Sequence, residues 1–211
     1  MKFETKAIHV GEEPNLRDGG SGDVVVPIHL SSTFARKEVD KPTDGYEYSR
    51  SGNPTRNALE KRLAALEDAK FGLAFASGLA AETVIALTLL KSGDHVIAFD
   101  DLYGGTRRLF NKVFNQNFKV EFSYVDARRI ENVEKAINDK TKLIWLETPT
   151  NPLMKLCDIR AISEIAKKKK IIVVVDNTFM SPYLQRPLNL GAGIVVHSTT
   201  KYLNGHSDSI G

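Results

Sequence analysis

The chain has 211 residues, of which 42% are hydrophobic and 26% are charged, a balance that is typical of a globular protein with one substantial core and excludes a disordered or collagen-like chain. The formal net charge of +3 is spread along the chain, apart from four consecutive lysines at 167–170. Lysines suit the negative end of a helix dipole, so we interpret this run as a solvated helix end and expect no nucleic-acid partner.

Cysteine and histidine usage limits the chemistry further. Cys157 is the only cysteine, so no intrachain disulfide can form and a reducing compartment is favoured. The histidines show no H-E-x-x-H spacing, and we expect no metal site. No apolar run reaches the roughly 20 residues that span a bilayer, and residues 1–5 lack a signal-peptide pattern. We therefore expect a cytoplasmic protein without a membrane partner.

The first part of the chain differs in composition from the rest. Residues 1–54 are rich in Gly, Pro, Ser and Asp, as in Asp18-Gly19-Gly20-Ser21-Gly22, and predict an extended arm with loops rather than helices. From Pro54 onward, Leu59, Leu63 and Leu66 recur at helical spacing and predict a helix over residues 55–68. We place the boundary here, with an N-terminal arm at 1–54 and a large domain at 55–211.

Short apolar runs alternate with helical patterns through the rest of the chain. Strands are predicted at 73–76, 95–99, 120–124, 143–146, 171–175 and 194–196. Helices are predicted at 79–91, 106–115, 130–137 and 159–169. This alternation indicates an α/β fold with a mostly parallel sheet covered by helices on both faces. Ligands of such sheets collect beyond the carboxyl ends of the strands. The chain has neither a G-x-G-x-x-G nor a G-x-x-x-x-G-K-[ST] motif, which argues against a nicotinamide-dependent oxidoreductase or a nucleotide-binding loop.

A polar segment over residues 197–206 follows the last predicted strand. Its Lys201 offers an amine that can form an imine with an aldehyde, and Ser198 and Thr200 can donate hydrogen bonds to a phosphate. Together these groups describe a site for pyridoxal 5'-phosphate (PLP). Taken alone, the same residues also suit a solvated lysine in an ordinary turn.

Other strand ends carry residues that fit the same cofactor. Gly78 opens a helix whose exposed N–H groups can hold phosphate, and Asp176 leaves a buried strand where it can pair with a pyridine nitrogen. Tyr103 can stack on a flat ring, and Asn151, in a loop with two prolines, can contact the phenolic oxygen of the cofactor or the substrate. Each of these residues is also common in ordinary turns and helix caps.

Six ordered blocks make a family resemblance recognisable. They are Tyr46-Glu47-Tyr48-Ser49-Arg50-Ser51-Gly52-Asn53-Pro54-Thr55, Ala76-Ser77-Gly78-Leu79-Ala80-Ala81, Tyr103-Gly104-Gly105-Thr106, Glu147-Thr148-Pro149-Thr150-Asn151-Pro152, Asp176-Asn177-Thr178-Phe179 and Ser198-Thr199-Thr200-Lys201-Tyr202-Leu203-Asn204-Gly205-His206. The chain resembles the trans-sulfuration (Cys/Met metabolism) family, whose members are PLP-dependent enzymes of fold type I, the aspartate-aminotransferase-like architecture.

The resemblance implies a role for each matching residue. It implies that Lys201 forms the Schiff base with PLP, that Asp176 pairs with the pyridine nitrogen, and that Tyr103 and Thr178 lie on opposite faces of the ring. The phosphate would be held by the N–H groups of Gly78 and Leu79 and by the hydroxyls of Ser198 and Thr200. In this family Tyr48 and Arg50 grip the phosphate of the neighbouring subunit, which implies a homotetramer built from dimers that share active sites.

Three departures from the family pattern stand out. Gly193 replaces the usual acid before the last strand, and Leu79 replaces the usual methionine, which leaves a backbone contact available. Members of the family also run to about twice this length, with a C-terminal domain that supplies an arginine for the substrate carboxylate. We therefore predict that this chain is the N-terminal portion of a longer enzyme.

The implied reaction is γ-elimination or γ-replacement on a sulfur amino acid, with Lys201 as the base and Tyr103 as a candidate acid. The Tyr103-Gly104-Gly105-Thr106 block resembles the cystathionine γ-lyase and γ-synthase branch, since methionine γ-lyases tend to carry cysteine where Gly105 stands. We favour a lyase that cleaves cystathionine to cysteine, 2-oxobutanoate and ammonia. The alternatives are cystathionine γ-synthase, then methionine γ-lyase or O-acetylhomoserine sulfhydrylase, and a catalytically silent binding protein with the PLP fold.

Overall fold

The computed structural model describes residues 1–16 and 20–211, so Asp18 and Gly19 of the predicted glycine-rich loop lie outside the described residues. The chain divides into two compact units, Met1–Ala74 and Phe75–Gly211. The division into an arm at 1–54 and a large domain at 55–211 stays a prediction.

The first unit contains two helices and a short antiparallel strand pair. These elements are Phe3–His9 (α1), Arg36–Glu38 (β1), Lys41–Pro42 (β2) and Pro54–Leu66 (α2). Helix α2 confirms the helix predicted at 55–68. It begins at Pro54 because the side chain of Asn53 accepts hydrogen bonds from the N–H groups of Thr55 and Arg56, and because proline at the first position has no N–H to leave unpaired.

Helix α1 was not predicted from the sequence. Its seven residues have no side-chain cap, and so short a helix is unstable by itself. Neighbouring side chains hold it in place: the Lys6 amine pairs with Asp68 at 2.5 Å, and the Arg62 guanidinium donates to the carbonyl oxygens of Ile8 and Val10. The segment predicted as an extended arm therefore starts with a helix that packs on α2.

A five-stranded parallel sheet forms the centre of the second unit, with strand order β4-β3-β5-β6-β7. Its strands are His95–Phe99 (β3), Glu121–Val125 (β4), Thr141–Glu147 (β5), Ile172–Asp176 (β6) and Ile194–Val196 (β7). The parallel sheet and these strands confirm the sequence-based prediction. The strand predicted at 73–76 is wrong, because no described strand lies beside this segment to pair with its backbone.

Helices follow the strands in alternation, as predicted. They are Gly78–Leu89 (α3), Gly104–Arg108 (α4), Gln116–Phe118 (α5), Ile130–Ala136 (α6), Ile159–Lys168 (α7) and Ser181–Leu184 (α8), with a π-helical segment at Leu109–Asn115 and a 3₁₀ turn at Pro187–Leu190. Helix α6 packs on β4, α7 on β6 and α3 on β7. The lysine run begins in the last turn of α7, in agreement with its interpretation as a helix end.

One part of the apolar core lies between the sheet and the π-helical segment. Phe110 stacks on Phe122 with 4.8 Å between ring centroids, and meets Trp145 edge-on at 5.2 Å. Both Phe110 and Trp145 are almost fully buried. Such aromatic pairs gain energy beyond the area that they bury, so this cluster ties the segment to β4 and β5.

All five strands of the sheet end at one edge, and this edge positions the candidate site. Glu147 and Asp176 are the last residues of β5 and β6 and are paired across the ladder, and Asp176 is paired with Val196 of β7. The segments that carry Tyr103, Asn151, Thr178 and Lys201 leave the sheet from this same edge.

Within the described residues, no helix has the length and apolar character needed to cross a membrane. The same residues contain no group of three or more His, Cys, Asp or Glu side chains that is arranged to hold a metal ion.

Replacing Phe110 with Ala should lower the free energy of unfolding by about 3–5 kcal/mol, because it leaves a cavity between Phe122 and Trp145. Chemical denaturation of the two proteins measures this difference. Phe118→Ala is the matched control, since the Phe118 side chain is 45% exposed and its loss should cost less than about 1 kcal/mol. Equal losses for the two variants would contradict the assignment of Phe110 to the core.

Candidate functional site

Asp176 lies buried at the end of β6 and is held by the residues that follow it. Its Oδ1 atom accepts a hydrogen bond of 2.9 Å from the N–H of Thr178, and the Thr178 hydroxyl also bonds to the carboxyl group. Burial raises the pKa of Asp176, whereas the Thr178 bonds and the nearby His197 act in the opposite direction. A carboxyl group so placed gains charge readily when a cation comes into contact with it.

The Thr178 hydroxyl connects Asp176 to the segment after β7. It accepts a hydrogen bond of 2.9 Å from the N–H of Ser198. A chain of hydrogen bonds therefore runs from Ser198 through Thr178 to Asp176, and three of the predicted site residues lie together as neighbours. Sequence reasoning placed Thr178 against a cofactor ring, and that placement stays a prediction.

The start of helix α3 lies directly against Ser198. A Cβ atom built on Gly78 would come within 3.0 Å of Ser198 Cβ and 3.1 Å of its Cα, so a side chain here would force the helix and Ser198 apart by a few tenths of an ångström. The Ser77 hydroxyl caps the helix by accepting from the N–H of Ala80 at 3.1 Å. The first N–H groups of a helix have no partner inside the helix, so those of Gly78 and Leu79 are available to an anion beside the Ser198 hydroxyl.

Lys201 lies in the turn after β7 with its side chain exposed. Its backbone is fixed, since its N–H donates to Ser198 O at 3.1 Å and its carbonyl accepts from Gly205 N at 2.8 Å. In the part of the chain that the structure describes, its amine has no hydrogen-bond or ion-pair partner, and no described hydrogen bond joins it to Asp176 or Tyr103. The amine is therefore free to react.

An open cavity of about 630 Å³ surrounds this turn and is lined by Lys201, Thr200, Phe179 and Tyr202, among others. This volume falls within the range of roughly 300–1,000 Å³ that is usual for small-molecule sites. The Thr200 hydroxyl already exchanges hydrogen bonds with the backbone of Gly211 at 3.0 and 3.2 Å. It would have to leave this partner in order to bind a phosphate.

Tyr103 lies immediately before α4 with its side chain 47% exposed. Its ring covers Gly105 so closely that a Cβ atom at Gly105 would collide with it. The backbone N–H of Tyr103 donates to Glu147 Oε2 at 2.8 Å. The ring is therefore presented to solvent by a backbone that is anchored to the end of β5.

The loop that carries Asn151 is held by two acids that follow β3. Asp101 accepts hydrogen bonds from the Thr150 hydroxyl and, at 2.9 Å, from the N–H of Leu153. Asp100 pairs with the Lys155 amine at 2.9 Å. These contacts fix both sides of Asn151, whose own side chain is only partly buried.

Three buried carboxyl groups face one another behind these loops: Glu82 of α3, Glu147 and Asp176. Burial, with the charge of Asp176 as the next cause, raises the pKa of Glu82 to about 8 and that of Glu147 to about 8. The Thr106 hydroxyl donates to Glu82 Oε1 at 3.0 Å, whereas Glu82 Oε2 has no hydrogen-bond partner among the described residues. Burial therefore favours the protonated form of both glutamates at neutral pH.

Sequence reasoning missed Glu82, Glu147 and Asp101 as parts of this site. A signal existed for two of them: Glu82 is the one charged residue in the apolar sequence of α3, and Glu147 ends an apolar strand as Asp176 does. Asp101 carried no comparable signal, because adjacent acids in a loop are common.

Tyr48 and Arg50 belong to the first unit and are both exposed. The Arg50 guanidinium lies over the Tyr48 ring, 4.8 Å from its centroid. This cation–π contact holds the two predicted phosphate-binding residues side by side.

Residues 4–211 match the family model described as Cys/Met metabolism PLP-dependent enzyme. The chain belongs to this family. It is 55% identical to cystathionine gamma-lyase from Homo sapiens over 209 residues, which are 99% of this chain and 50% of the human protein. It is 52% identical to cystathionine gamma-synthase from Mycobacterium leprae over 207 residues, 98% of this chain and 52% of that protein.

The crystal structure of metB from Corynebacterium glutamicum superposes with a TM-score of 0.96 at 49% identity, covering all of this chain and 54% of the other. This likeness confirms the fold class. The chain spans about half the length of the curated relatives that it matches.

The residues at the carboxyl edge fit the PLP on which the family depends. Gly78 and Ser198 approach closely, which brings helix N–H groups and a hydroxyl together for a phosphate. Asp176 is a buried acid with donors on one side, suited to a cationic ring nitrogen. Lys201 supplies the free amine.

Replacing Glu82 with Gln should flatten the pH dependence of stability. The folded-state pKa of about 8 lies above the ordinary value of 4.5, so the folded state keeps its proton between these values while the unfolded state loses it. The stability from this group is full below pH 4.5 and is lost as pH rises toward 8, by at most about 1.4 kcal/mol per pH unit.

Urea denaturation of wild type and Glu82→Gln between these two pH values measures the slope. The exposed Glu164 provides the control, since Glu164→Gln should leave the slope of the wild type unchanged. A Glu82→Gln protein whose stability falls as steeply as that of the wild type would contradict the raised pKa.

Proposed function

We propose that this protein is a PLP-dependent enzyme that carries out γ-elimination or γ-replacement on sulfur amino acids, with cleavage of cystathionine to cysteine, 2-oxobutanoate and ammonia as the favoured reaction. The observation that carries the proposal is the hydrogen-bonded series Asp176, Thr178 and Ser198, with Gly78 packed against its end. This series combines a buried acid with helix N–H groups and a hydroxyl that can bind a phosphate, all at one edge of the sheet.

The cofactor would be held by residues at that edge. The N–H groups of Gly78 and Leu79 and the hydroxyls of Ser198 and Thr200 suit its phosphate, and Asp176 suits its ring nitrogen. Further contacts are proposed for Tyr103 and Thr178 on opposite ring faces and for Asn151 at the phenolic oxygen. Tyr48 and Arg50 are proposed to reach the phosphate of a neighbouring subunit, where the planar guanidinium can donate two hydrogen bonds.

When bound, PLP supplies an electron-withdrawing ring that takes up the electrons released at the substrate α-carbon. Asp176 keeps a negative charge opposite the ring nitrogen. The Lys201 amine, once neutral, accepts the α-proton and later a β-proton of the substrate, and its flexible stem lets it serve both positions. The Tyr103 phenol lies at the solvent side and is proposed to donate a proton to the departing sulfur.

The choice between lyase and synthase rests on a small margin. Relatives named cystathionine gamma-lyase and cystathionine gamma-synthase match at 55% and 52% identity, which supports either activity. Methionine γ-lyase and O-acetylhomoserine sulfhydrylase are retained as lower-ranked alternatives, and methionine γ-lyases tend to carry cysteine where Gly105 stands. Assays with cystathionine, with O-acylhomoserine plus cysteine and with methionine, run side by side, separate these activities.

We also propose a homotetramer built from dimers that share active sites, located in the cytoplasm, in which a C-terminal portion supplies an arginine for the substrate carboxylate. The relatives, which are about twice as long, support the need for that portion. An intact-mass measurement on active protein tests it. Turnover by a purified species of only 23.4 kDa, with no companion fragment, would overturn this part of the proposal.

Lys201→Ala should abolish the visible absorbance of the lysine-bound cofactor and lower turnover by at least about 10²–10⁴-fold, because no second amine is proposed to act as the base. Absorbance after addition of PLP, sensitivity to borohydride and turnover are measured on both proteins, with the exposed Lys112→Ala as the matched control. Retained activity would refute the assignment of Lys201. A borohydride-sensitive yellow wild-type protein without any turnover would favour the silent binding protein.

Gly78→Val should weaken PLP binding about tenfold or more, because the new side chain forces the start of α3 away from Ser198. Titration with PLP, followed by absorbance, gives the dissociation constants. Thr88→Val changes an exposed position on the same helix and should leave the affinity unaltered. Unchanged affinity of the Gly78 variant would argue against a phosphate site at this helix end.

A further inference from the structure

The Glu147 carboxyl group bridges two loops that leave the sheet from different strands. Its Oε2 atom accepts the N–H of Tyr103, which follows β3, at 2.8 Å. The N–H of Asn151, in the loop after β5, also bonds to this carboxyl group. One side chain, 5% exposed, therefore holds the backbone of both residues.

The surroundings of Glu147 are rich in acids and poor in cations. Asp176 lies beside it on β6, Glu82 faces it from α3, and Asp101 approaches from the segment after β3. His197, after β7, acts on Asp176. Several buried carboxylates in contact cannot all be ionised, because each added charge is repelled by the others and has lost its water.

The hydrogen bonds determine which carboxyl group ionises first. Asp176 receives both the N–H and the hydroxyl of Thr178, and its charge raises the pKa of its neighbours. Glu147 receives only backbone N–H groups, which a neutral carboxyl oxygen also accepts. These hydrogen bonds favour the negative charge on Asp176 and the proton on Glu147.

We propose that Glu147 is a positioning residue: as an uncharged acid it holds the backbones of Tyr103 and Asn151 together and leaves the negative charge of the three buried carboxyl groups to Asp176. This inference rests on the proposed function for the roles of Tyr103, Asn151 and Asp176 toward the cofactor. The hydrogen bonds of a neutral Glu147 to the loops that carry Tyr103 and Asn151 do not depend on any ligand.

The bridge explains why an acid stands here rather than an apolar residue. An apolar side chain would remove the acceptor of the Tyr103 N–H, and the free energy of that hydrogen bond would be lost. A permanently charged side chain would compete with Asp176 for a cation. A neutral carboxyl group satisfies both requirements, and an amide of the same shape should do so equally well.

The experiment compares Glu147→Gln, which keeps shape and acceptor, with Glu147→Met, which keeps volume but removes the acceptor. Glu164→Gln is the exposed control. The first readout uses the protein without cofactor: the amide resonance of Tyr103 is followed by NMR as a function of pH, and its hydrogen exchange is timed. The second readout is the pH profile of the visible absorbance after PLP is added.

In the wild type, the Tyr103 amide should titrate with a midpoint near 8 and be protected from exchange. Glu147→Gln should abolish this titration and keep the protection, whereas Glu147→Met should speed exchange about tenfold. With PLP added, the Gln variant should keep the wild-type absorbance at neutral pH and lose the part of the pH profile centred near 8.

A Tyr103 amide that titrates in the ordinary range of glutamate, or that exchanges equally fast in wild type and Glu147→Met, overturns the inference. A Gln variant that loses protection as the Met variant does also overturns it, since the charge would then be needed. Failure of the wild type to bind PLP would instead refute the proposed function, and the amide measurements would still decide the role of Glu147.

Discussion

Parallel strands end on a common edge, and here two adjacent strands end on an acid, Glu147 and Asp176, while Glu82 faces them from helix α3. Removing three carboxyl groups from water in so small a space is tolerable only if most of them remain neutral. The hydrogen bonds of Thr178 oppose the effect of burial on Asp176 and favour its ionisation over that of the two glutamates. The other acids at this edge each bind a different group. Glu147 accepts backbone N–H groups, Glu82 and Asp101 accept hydroxyl groups, and Asp100 pairs with a lysine.

Close packing provides the second requirement of the site. Gly78 brings the start of α3 against Ser198, so that free helix N–H groups and a side-chain hydroxyl lie together beside the Thr178 bond to Asp176. The two ends of this hydrogen-bonded series thus have opposite preferences: the helix start favours anions, and the buried acid favours a cation. A ligand with a phosphate at one end and a basic ring nitrogen at the other matches that order.

Much of this arrangement could be predicted from the sequence. Buried strands such as Val173–Val175 are continuous apolar runs, and residues that follow them, such as Asp176, must lie at the ligand edge of a parallel sheet. Local patterns fail where tertiary contacts decide the structure. Helix α1 depends on Arg62 and Asp68, and the segment at 73–76 lacks a neighbouring strand. The partners of Glu82 and Glu147 could not be predicted for the same reason, since Thr106 and Tyr103 are far from them in the sequence.

The segment Asp100–Tyr103 limits how the loop after β5 can be exchanged. The segment ends with the aromatic ring of Tyr103. Its two acids bind residues on both sides of Asn151: Asp101 accepts hydrogen bonds from Thr150 and Leu153, and Asp100 pairs with Lys155. The loop after β5 is thus not a module that can be exchanged by itself. If the loop after β5 is replaced by that of a relative, the segment after β3 has to be replaced with it, because the contacts between the two segments hold both in place.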